Sequence, residues 1–542
     1  MLEIRKSDLD CYVQGRYVLW GRVKDLSKPS VVIMWFKRDL RIYDHHPLQQ
    51  AIASGHAVLP LFVIEPDFWA LKTSARRHWV FVRDSLSELR EALGGLGQPL
   101  IIRIGSVREV MATLSQHYKI EGIYAHEETS HSWSYARDEA MRDYCAKHLI
   151  DFHETPANGI ARRLNNRDKW AAMRGKRMAE PRLSPPKGGA LFASGKILSD
   201  LAIGTLPTRD DALFGAPLVS GDSTQKGGRR AAISLLKSFL TDRGNAYVVN
   251  LASPSKAPQS CLRLSPHLVW GTISSREVEQ AIRNYKNNAD APLSRAKIRS
   301  LNAVLSRLSW RCHFMQKLED QPQIEFESMH QLYDDLRVND WDEARFTAWA
   351  TGQTGYPLID ACMRALTKTG WLPFRMRAML VSFASYHLWL DWRRTAPHLA
   401  RLFTDFEAGI HYSQFQMQSG VTGINTIRIY NPVKQSYEHD KNGAFIRQHC
   451  PELANISDQW LHEPHLMPPL QALAQGFEIG RDYPLPIVEN EAAMRLAKER
   501  IFAVRKHPSF GPLAAQIYQK LGSRKKVGKR PKAGADKQLK LL

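Results

Sequence analysis

The 542-residue sequence contains few cysteines and no long apolar run, and each absence excludes a class of protein. Its six cysteines form no Cys-x-x-Cys pair, so we expect neither a disulfide framework nor a zinc or iron–sulfur site, and no metal of any kind. No apolar run approaches the ~18 to 20 residues that cross a bilayer, and charged residues interrupt the amino terminus where a secretory signal would be apolar. We therefore expect a cytoplasmic protein with reduced thiols and no membrane partner.

A glycine-rich dinucleotide fingerprint is also absent after the first predicted strand. The sequence instead alternates short, buried-type strands with amphipathic helices, and this alternation predicts a doubly wound parallel α/β sheet. The predicted strands cover residues 31–36, 57–64, 100–104 and 122–125, and the predicted helices cover residues 47–53, 75–93, 107–118 and 134–148.

The second half has long helical patterns and few strand candidates, so the fold class is α/β followed by all-α. Helices are predicted at residues 230–242, 301–318, 358–369 and, the longest, 375–392. We divide the chain into an N-terminal extension (1–28), an α/β domain (29–154), a basic connector with little regular structure (155–228), a helical domain (229–503) and a basic tail (504–542), expected to be disordered from about residue 520.

Basic residues outnumber acidic ones, 75 against 54, and they are unevenly distributed. Residues 520–542 hold nine Lys and Arg with one acidic residue, and residues 162–182 hold eight with two. Either run alone is as consistent with a solvated surface as with a binding surface. Together with a basic folded body they favour a polyanion, because neutralising phosphates releases condensed counterions. We expect nucleic acid as the partner and a nucleoid-associated location.

Motifs in both halves, taken together, resemble the photolyase/cryptochrome flavoprotein family. The opening strand and turn read WFKRDLR from Trp35, followed by Asp44. In the second half TGYP begins at Thr354, GW at Gly370, RIYNP at Arg428, FIRQ at Phe445 and HEP at His462. The resemblance runs from about residue 31 to about residue 503 in the expected order, and the closest likeness is to bacterial DNA photolyases, with atypical flavin-pocket residues.

The resemblance implies an α/β antenna domain, a connector and a helical domain that holds FAD in a U shape. In repair members the reduced flavin absorbs blue light and passes an electron to a pyrimidine dimer that is flipped out of damaged DNA. An antenna chromophore of unknown identity is possible: the acidic residue that holds a pterin in folate-binding members corresponds to Ser134, so a deazaflavin, another flavin or no chromophore at all stays open. We expect a monomer.

Carried over residue by residue, the resemblance assigns the cofactor site. The phosphate-binding loop corresponds to Cys261, Leu262, Arg263, Leu264 and Ser265, in which the two leading hydroxyls of the family pattern are missing. The remaining cofactor-binding candidates are Tyr247, Arg311, Arg377, His387, Asp405, Phe406, Glu407 and His411.

Several positions depart from the family pattern around the flavin and the substrate. Arg307 replaces the acid that contacts the dimer, His387 replaces the acid that pairs with Arg377, and His411 replaces the asparagine that faces flavin N5. Met417 takes the place of a second substrate-facing tryptophan. Because three of these changes add positive charge or remove negative charge, we expect a cationic pocket that favours an anionic flavin.

The electron-transfer chain of the family is also altered. Phe415 takes the place of the flavin-proximal tryptophan, and the distal one falls on Asn339, two residues from Trp341. Trp392 is retained. Tyr386, Trp389 and Trp392 recur every three residues, which predicts one helix face, so a route through Trp389 and Trp392, with Tyr412, is an alternative to plain core packing.

For function, the resemblance implies light-driven repair of cyclobutane pyrimidine dimers, with Arg307, Trp310, His411 and Met417 as catalytic candidates. The two histidines of the (6-4)-specific members correspond to Phe374 and Ala378, which disfavours that substrate. Trp310, Phe374, Arg375 and Arg428 are the DNA-binding candidates. A cryptochrome-like photoreceptor without repair activity is the alternative, because four substrate- or flavin-side residues are replaced.

Overall fold

The structure is a computed structural model that describes residues 11–13, 16–19, 22–25, 28–164, 166–191, 202–218, 223–289 and 291–524. Of the predicted basic tail, residues 525–542 lie outside these ranges. The predicted N-terminal extension contains a small antiparallel sheet of three strands, β1 (Cys11–Val13), β2 (Arg16–Leu19) and β3 (Arg22–Asp25).

A five-stranded parallel sheet comes next in the chain, in the order β6-β5-β4-β7-β8. The strands are β4 (Ser30–Phe36), β5 (Ala57–Ile64), β6 (Ile101–Ile104), β7 (Lys119–His126) and β8 (Asp151–Thr155). The helices around them are His46–Ala53, Pro66–Trp69, Arg76–Gly94, Val107–His117 and Ser132–His148. The predicted doubly wound α/β sheet is confirmed.

Strand β4 lies at the centre of this sheet and is buried on both faces. Val32, Met34 and Phe36 pack into one apolar cluster, whereas Val31, Ile33 and Trp35 pack into the other. This alternation follows from the period of two in a strand, and burial on both sides explains the unbroken apolar run. Edge strand β8 is half-exposed and polar, which is why a search for apolar runs did not predict it.

The second half is helical, as predicted. Its α-helices are Arg229–Thr241, Tyr247–Asn250, Ala257–Ser260, Ser265–Val269, Ser275–Asn287, Arg295–Asp320, Glu343–Thr351, Pro357–Thr369, Phe374–Ser382, Trp392–Leu402, Ala408–Ser419, Pro432–His439, Ala444–His449, Pro469–Ala474, Asn490–Val504 and Phe510–Leu521. Short 3₁₀ turns, among them Arg243–Ala246 and Val338–Asp340, join several of them. In the described part of the chain, no helix is both long and apolar enough to cross a membrane.

Among its described residues, the connector at residues 155–228 contains a ten-residue helix, Trp170–Ala179, and two short 3₁₀ turns. One sequence prediction about regular structure was wrong. The predicted helix at residues 375–392 is not continuous: it ends at Ser382, continues as one π-helical turn (Phe383–His387) and breaks at Trp389, whose φ is +56°. Asp391 then caps the next helix by accepting a hydrogen bond from the Arg393 N–H. Trp389 and Trp392 therefore do not share one helix face.

The two halves are joined by direct backbone contact at Gly271. A side chain there would approach the Arg38 carbonyl oxygen to 2.3 Å, so only glycine fits, and its φ of +65° also favours glycine. The Leu40 N–H donates to the Trp270 carbonyl oxygen at 3.0 Å, and Arg41 Nη1 donates to the Gly271 carbonyl oxygen at 3.0 Å. The end of strand β4 thus packs firmly onto the helical half.

Candidate functional site

Two arginine–carboxylate pairs frame the candidate site in the helical half. The first joins Arg377 and Asp405 in a bidentate pair, with Nη–Oδ distances of 2.8 and 3.0 Å. Burial would raise the pKa of Asp405, but Arg377, with a hydrogen bond from Ser265, outweighs burial and lowers it. Asp405 therefore fixes Arg377 and takes the place of the acidic partner that the family pattern has at position 387.

Glu407 forms the second pair and reaches both halves of the molecule. Its Oε2 accepts a hydrogen bond from Arg311 Nη2 at 3.1 Å, while its Oε1 lies 3.5 Å from Nη1 of Arg38. Arg38 also donates to the carbonyl oxygen of Phe406 at 3.3 Å. The 405–407 segment is thus held from three directions. Sequence analysis identified the motif around Arg38 but did not assign this residue to the site.

The predicted phosphate-binding loop, residues 261–265, presents an arginine without a carboxylate partner. Arg263 has a φ of +61°, and its guanidinium lies 4.1 Å from the centre of the Trp371 ring. Burial lowers its pKa to about 10, and its Nε is buried without a hydrogen-bond partner. Gln225 contacts both its backbone and its guanidinium. Sequence analysis did not predict Gln225 or Trp371 as neighbours of this loop.

The other loop residues are fixed by packing. Leu264 is buried, and Leu262 packs against the same apolar cluster as Tyr247. The Cys261 carbonyl oxygen accepts a hydrogen bond from Arg243 Nη1 at 2.6 Å. Burial raises the pKa of the Cys261 thiol to about 11, so this thiol is protonated at neutral pH. It therefore brings no negative charge to the loop.

Arg307 and Tyr247 lie together beside this loop. The Arg307 guanidinium lies 5.5 Å from the centre of the Tyr247 ring, and burial raises the pKa of Tyr247 to about 12. Among the ion pairs of the described residues, Arg307 and Arg263 have no acidic partner within 4 Å. The candidate site therefore holds two arginines that form no ion pair, although Asp405, beyond 4 Å, partly offsets the charge of Arg263.

At neutral pH His387 and His411 do not supply the predicted positive charge, although His387 still removes the acid of the family pattern. Burial lowers the pKa of each histidine to about 4, so both are neutral. His387 Nε2 donates to the Asn490 amide oxygen at 3.1 Å, and its ring stacks on Phe383. His411 Nε2 donates to the Ala396 carbonyl oxygen at 2.9 Å. Because the neutral ring carries one proton, His411 Nδ1 is an acceptor.

The substrate-side candidates occupy different elements. Trp310 is partly exposed on the Arg295–Asp320 helix and stacks on Phe314, with ring centres 5.6 Å apart. Met417 lies half-buried on the Ala408–Ser419 helix. Phe374 and Arg375 begin the Phe374–Ser382 helix, and the Arg375 guanidinium lies 5.5 Å from the Tyr430 ring centre. Arg428, close in sequence to Tyr430, is exposed.

The three electron-transfer candidates have different surroundings. Trp392 is buried, and its ring centre lies 6.5 Å from that of Tyr412. Trp389 donates its indole N–H to Asp340 Oδ2 at 2.9 Å. Trp341 lies in a separate aromatic group with Phe346, 5.2 Å away. The structure thus brings Trp392 next to Tyr412, while Trp341 packs elsewhere.

A groove of about 600 Å³ adjoins the 261–265 loop, and Arg243 and Arg263 contribute to its wall. The site next to it offers two arginines that form no ion pair, a buried guanidinium nitrogen of Arg263 without a hydrogen-bond partner, and two fixed arginine–carboxylate pairs. Guanidinium groups bind phosphate oxygens with charge-assisted hydrogen bonds. The residues present therefore fit a diphosphate-containing cofactor such as FAD.

One group of potential metal ligands lies at the carboxyl ends of β4 and β7, and it comprises Asp39, His45 and His126. His45 Nε2 and His126 Nδ1 both donate to Asp39 Oδ2, at 3.0 and 2.7 Å. The Leu48 N–H donates to the remaining His45 nitrogen at 3.1 Å. Both nitrogens of His45 are therefore engaged, and the group is a hydrogen-bonded carboxylate rather than a set of free ligand atoms.

Two family models match the chain. The model described as "DNA photolyase" matches residues 32–164, and that described as "FAD binding domain of DNA photolyase" matches residues 304–503. The deoxyribodipyrimidine photo-lyase of Alkalihalophilus pseudofirmus is 27% identical over 486 residues, covering 87% of this chain and 98% of the relative. Cryptochrome DASH of Gloeobacter violaceus is 26% identical over 493 residues, covering 85% and 93%.

The fold is also similar to that of a solved structure. The crystal structure of a bacterial class III photolyase from Agrobacterium tumefaciens has a TM-score of 0.73 at 24% identity, covering 89% of this chain and all of the other. At this identity the similarity establishes the fold alone.

Proposed function

The chain belongs to the photolyase/cryptochrome family, and from that premise we propose that it binds FAD in its helical half and uses blue light to split cyclobutane pyrimidine dimers in DNA. The observation that carries the proposal is the pair of arginines, Arg263 and Arg307, without carboxylate partners beside the 261–265 loop. Both side chains are half-buried, a charge in such a position without an ion-pair partner is costly, and an anionic ligand offsets that cost.

The protein's own groups have distinct roles in this proposal. Arg263 and Arg307 bind the FAD phosphates, with the backbone of the 261–265 loop and the Ser265 hydroxyl. The Arg377–Asp405 pair and the Arg311–Glu407 pair orient the flavin ring, and His411 offers an acceptor nitrogen to it. FAD, when bound, absorbs the light and supplies the electron. The site's apolar wall, including Phe406, keeps water away from the flavin.

Damaged DNA approaches on the side of Trp310, Phe374, Arg375 and Arg428. A flipped base stacks on the partly exposed Trp310 ring, and extrusion is cheapest for bases that are already distorted. Arg375 and Arg428 contact backbone phosphates, in keeping with the net charge of +21. We propose that a single copy acts on DNA in the cytoplasm, and that an antenna chromophore, to be identified by mass spectrometry, accompanies FAD.

The test is repair of an oligonucleotide with one thymine dimer by the purified, chemically reduced protein under blue light. We expect the dimer to disappear in the light and to persist in the dark, with DNA affinity falling as salt rises. Yellow protein that binds FAD but leaves the dimer intact would contradict the repair proposal. Colourless protein that cannot be reconstituted with FAD would contradict the cofactor proposal as well.

The second candidate function is a blue-light photoreceptor without repair activity. The specific observation in its favour is the replacement of substrate-side residues at Arg307 and Met417, and similarity to a cryptochrome DASH agrees with it. The same assay separates the two functions, because a photoreceptor would bind flavin and respond to light without changing the dimer.

A further inference from the structure

The basic connector contacts the helix that carries Trp310, and Arg167 makes this contact. Arg167 is 8% exposed, and its Nη2 donates to Nδ1 of His313, three residues after Trp310, at 2.7 Å. The Arg167 guanidinium also lies 4.6 Å from the centre of the Trp170 ring. A connector arginine is thereby held within one helical turn of the candidate base-stacking tryptophan.

Lys317 lies on the same face of this helix as Trp310. Trp310, Phe314 and Lys317 are separated by four and then three residues, which places their side chains in one row. The Phe314 ring stacks on that of Trp310 with centres 5.6 Å apart, and the Lys317 ammonium lies 5.6 Å from the Phe314 ring centre. Two rings and one cation therefore follow each other along the helix.

The Lys317 ammonium has no ion-pair or hydrogen-bond partner in the part of the chain that the structure describes. The residue is 5% exposed, and burial, with the nearby Arg167, lowers its pKa to about 8, so it is mostly charged at neutral pH. Glu319, two residues away, adds little negative charge, because burial raises its pKa to about 8. A lysine with a buried stem and an unpaired charge is suited to an anion that arrives from solvent.

The other acidic groups nearby are already used. Asp320 Oδ2 lies 3.6 Å from Arg167 Nη1, and Asp168 pairs with Arg524. Arg167 Nη1 is nevertheless buried without a hydrogen bond. Two carboxylates therefore face three cations, Arg167, Arg524 and Lys317, and the surplus positive charge lies at Lys317.

We propose that Lys317 and Arg167 form a subsite for one backbone phosphate of the damaged DNA strand, next to the flipped base. A lysine and an arginine supply charge-assisted hydrogen bonds to phosphate oxygens. Seven residues of helix place Lys317 about 10 Å from Trp310 along the axis. Since phosphates of one strand are spaced about 3.4 Å along a duplex, the bound phosphate lies within about three nucleotides of the flipped base.

The surroundings favour a nucleic acid strand over an isolated anion. Aromatic rings next to cations are the combination that binds unpaired nucleotides, because the rings stack on bases while the cations pair with phosphates. The chain also continues from Arg524 into residues 525–542, which hold seven Lys and Arg and one Asp. The subsite rests on the proposed function, because it requires a damaged strand at Trp310.

The experiment measures binding of the flavin-loaded, full-length protein in the dark to a duplex with one thymine dimer. Each phosphate within about four nucleotides of the dimer is replaced in turn by an uncharged methylphosphonate. We expect replacement at the subsite position to lower wild-type affinity by about tenfold or more. If no position in this window affects the wild type, the proposal is wrong, whether or not any variant folds.

Lys317→Met removes the charge and keeps an unbranched side chain. Affinity for the unmodified duplex should fall by about tenfold or more. Methylphosphonate at the subsite position should then cause no further loss, while other sensitive positions keep their effect, because only the two partners of one contact are coupled. An unchanged methylphosphonate profile in Lys317→Met would overturn the proposal.

Control variants separate this contact from general charge and from folding. Lys317→Arg keeps the charge and should restore sensitivity at the subsite position. Lys237→Gln removes one exposed charge on the Arg229–Thr241 helix and should leave the profile as in the wild type. The melting temperature of Lys317→Met should stay the same or rise, because an unpartnered buried charge is replaced by an apolar group.

Repair under blue light separates the subsite from the function on which it rests. With saturating duplex, chemically reduced Lys317→Met should split the dimer at the wild-type rate, while the half-saturating duplex concentration rises by about tenfold or more. A lower rate at saturation would overturn the assignment to phosphate binding. Wild-type protein that gives the expected profile without repair contradicts the repair proposal alone, and wild-type protein that does not bind the duplex overturns both.

Discussion

Charged residues cluster at two places, and the two clusters differ in how they are neutralised. At the carboxyl end of the parallel sheet, Lys37 and Arg137 both pair with Asp138, at 2.9 and 2.7 Å, and Asp39 accepts hydrogen bonds from two histidines. In the helical half Arg263 and Arg307 have no such partner. Ligands of open α/β folds usually bind at the carboxyl ends of the strands. In this protein the charged side chains at that position pair with one another instead.

An anionic ligand gains binding energy only at the cluster in the helical half, where Arg263 and Arg307 have no ion-pair partner. Charges already paired contribute to the integrity of the fold, and a ligand that displaced them would have to compensate for each broken pair. Positive charges without a partner destabilise the ligand-free protein, and an anionic ligand that pairs with them removes this destabilisation. Substitutions at the two clusters should therefore have opposite effects on stability and on cofactor binding.

The largest effect is expected from Asp138→Asn. Asp138 is fully buried, burial would raise its pKa, and Arg137 and Lys37 lower it instead. Its loss leaves the buried Lys37 with only the longer contact to Glu154, at 3.6 Å, so the free energy of unfolding should fall by about 3–5 kcal/mol, as measured by denaturant titration. The double change Lys37→Met and Asp138→Leu should recover more than half of the loss. A loss below about 1 kcal/mol would show that these charges are not tightly coupled.

Arg263→Gln should have the opposite effect: it should weaken FAD binding and leave the free energy of unfolding nearly unchanged. Removing an unpartnered charge should change the free energy of unfolding by less than about 1 kcal/mol. FAD affinity should fall about 10- to 100-fold, because a hydrogen bond to a charged group contributes about 1.5–3 kcal/mol. Flavin fluorescence quenching on titration of the apoprotein measures the affinity. Arg230→Gln, at a side chain that is 73% exposed, is the matched control and should bind FAD normally.

A pH series should separate stability from cofactor binding. In the folded protein burial lowers the pKa of His411 and His387 to about 4, and that of His126 to about 3. In the unfolded chain their pKa is about 6.5, so the unfolded state binds more protons between about pH 6.5 and 4. The free energy of unfolding should therefore fall as pH falls, by up to about 1.4 kcal/mol per histidine and pH unit.

Over the same series FAD affinity should change little between about pH 7.5 and 5.5, because the pocket histidines stay neutral. Thermal melts and flavin titrations in the same buffers test both statements. A sharp rise in FAD affinity as pH falls towards about 6 would mean that His411 gains a proton in that range and adds its positive charge to those of the pocket arginines.

The smallest effect on the folded protein is expected from truncation after Arg524. Residues 525–542 contain seven Lys and Arg and one Asp. Their removal should leave the melting temperature and FAD binding unchanged, while the dependence of DNA affinity on salt becomes shallower by about 0.9 for each phosphate that the tail no longer neutralises. Fluorescence anisotropy over a salt series measures the slope. An unchanged slope would remove the tail from the DNA-binding surface.

Much of the fold could be predicted, because it follows from local periodicity. The buried strands β4 and β5 are unbroken apolar runs, and the long helices carry regular apolar faces. Strand β8 was missed because an edge strand needs no such run. The break at Trp389 was missed because aromatic residues at a spacing of three are typical of one helix, and no glycine marks the left-handed conformation that interrupts it.

The site was predicted in part for a related reason. Asp405 and Arg377 lie in recognisable motifs, but their pairing is a contact between distant segments. The charge of His411 and His387 depends on burial, which residue identity alone does not reveal. Gln225 and Trp371 could not be predicted as neighbours of Arg263, because they meet only in the folded chain.

The backbone contact at Gly271 has a consequence for engineering. Because Arg38 reaches Glu407 and the end of β4 packs against Gly271, the sheet is one wall of the candidate flavin chamber rather than a detachable accessory. Separately expressed halves would need to reassociate before the chamber is complete. A fusion or a split of this chain should therefore not separate the end of β4 from the Gly271 backbone.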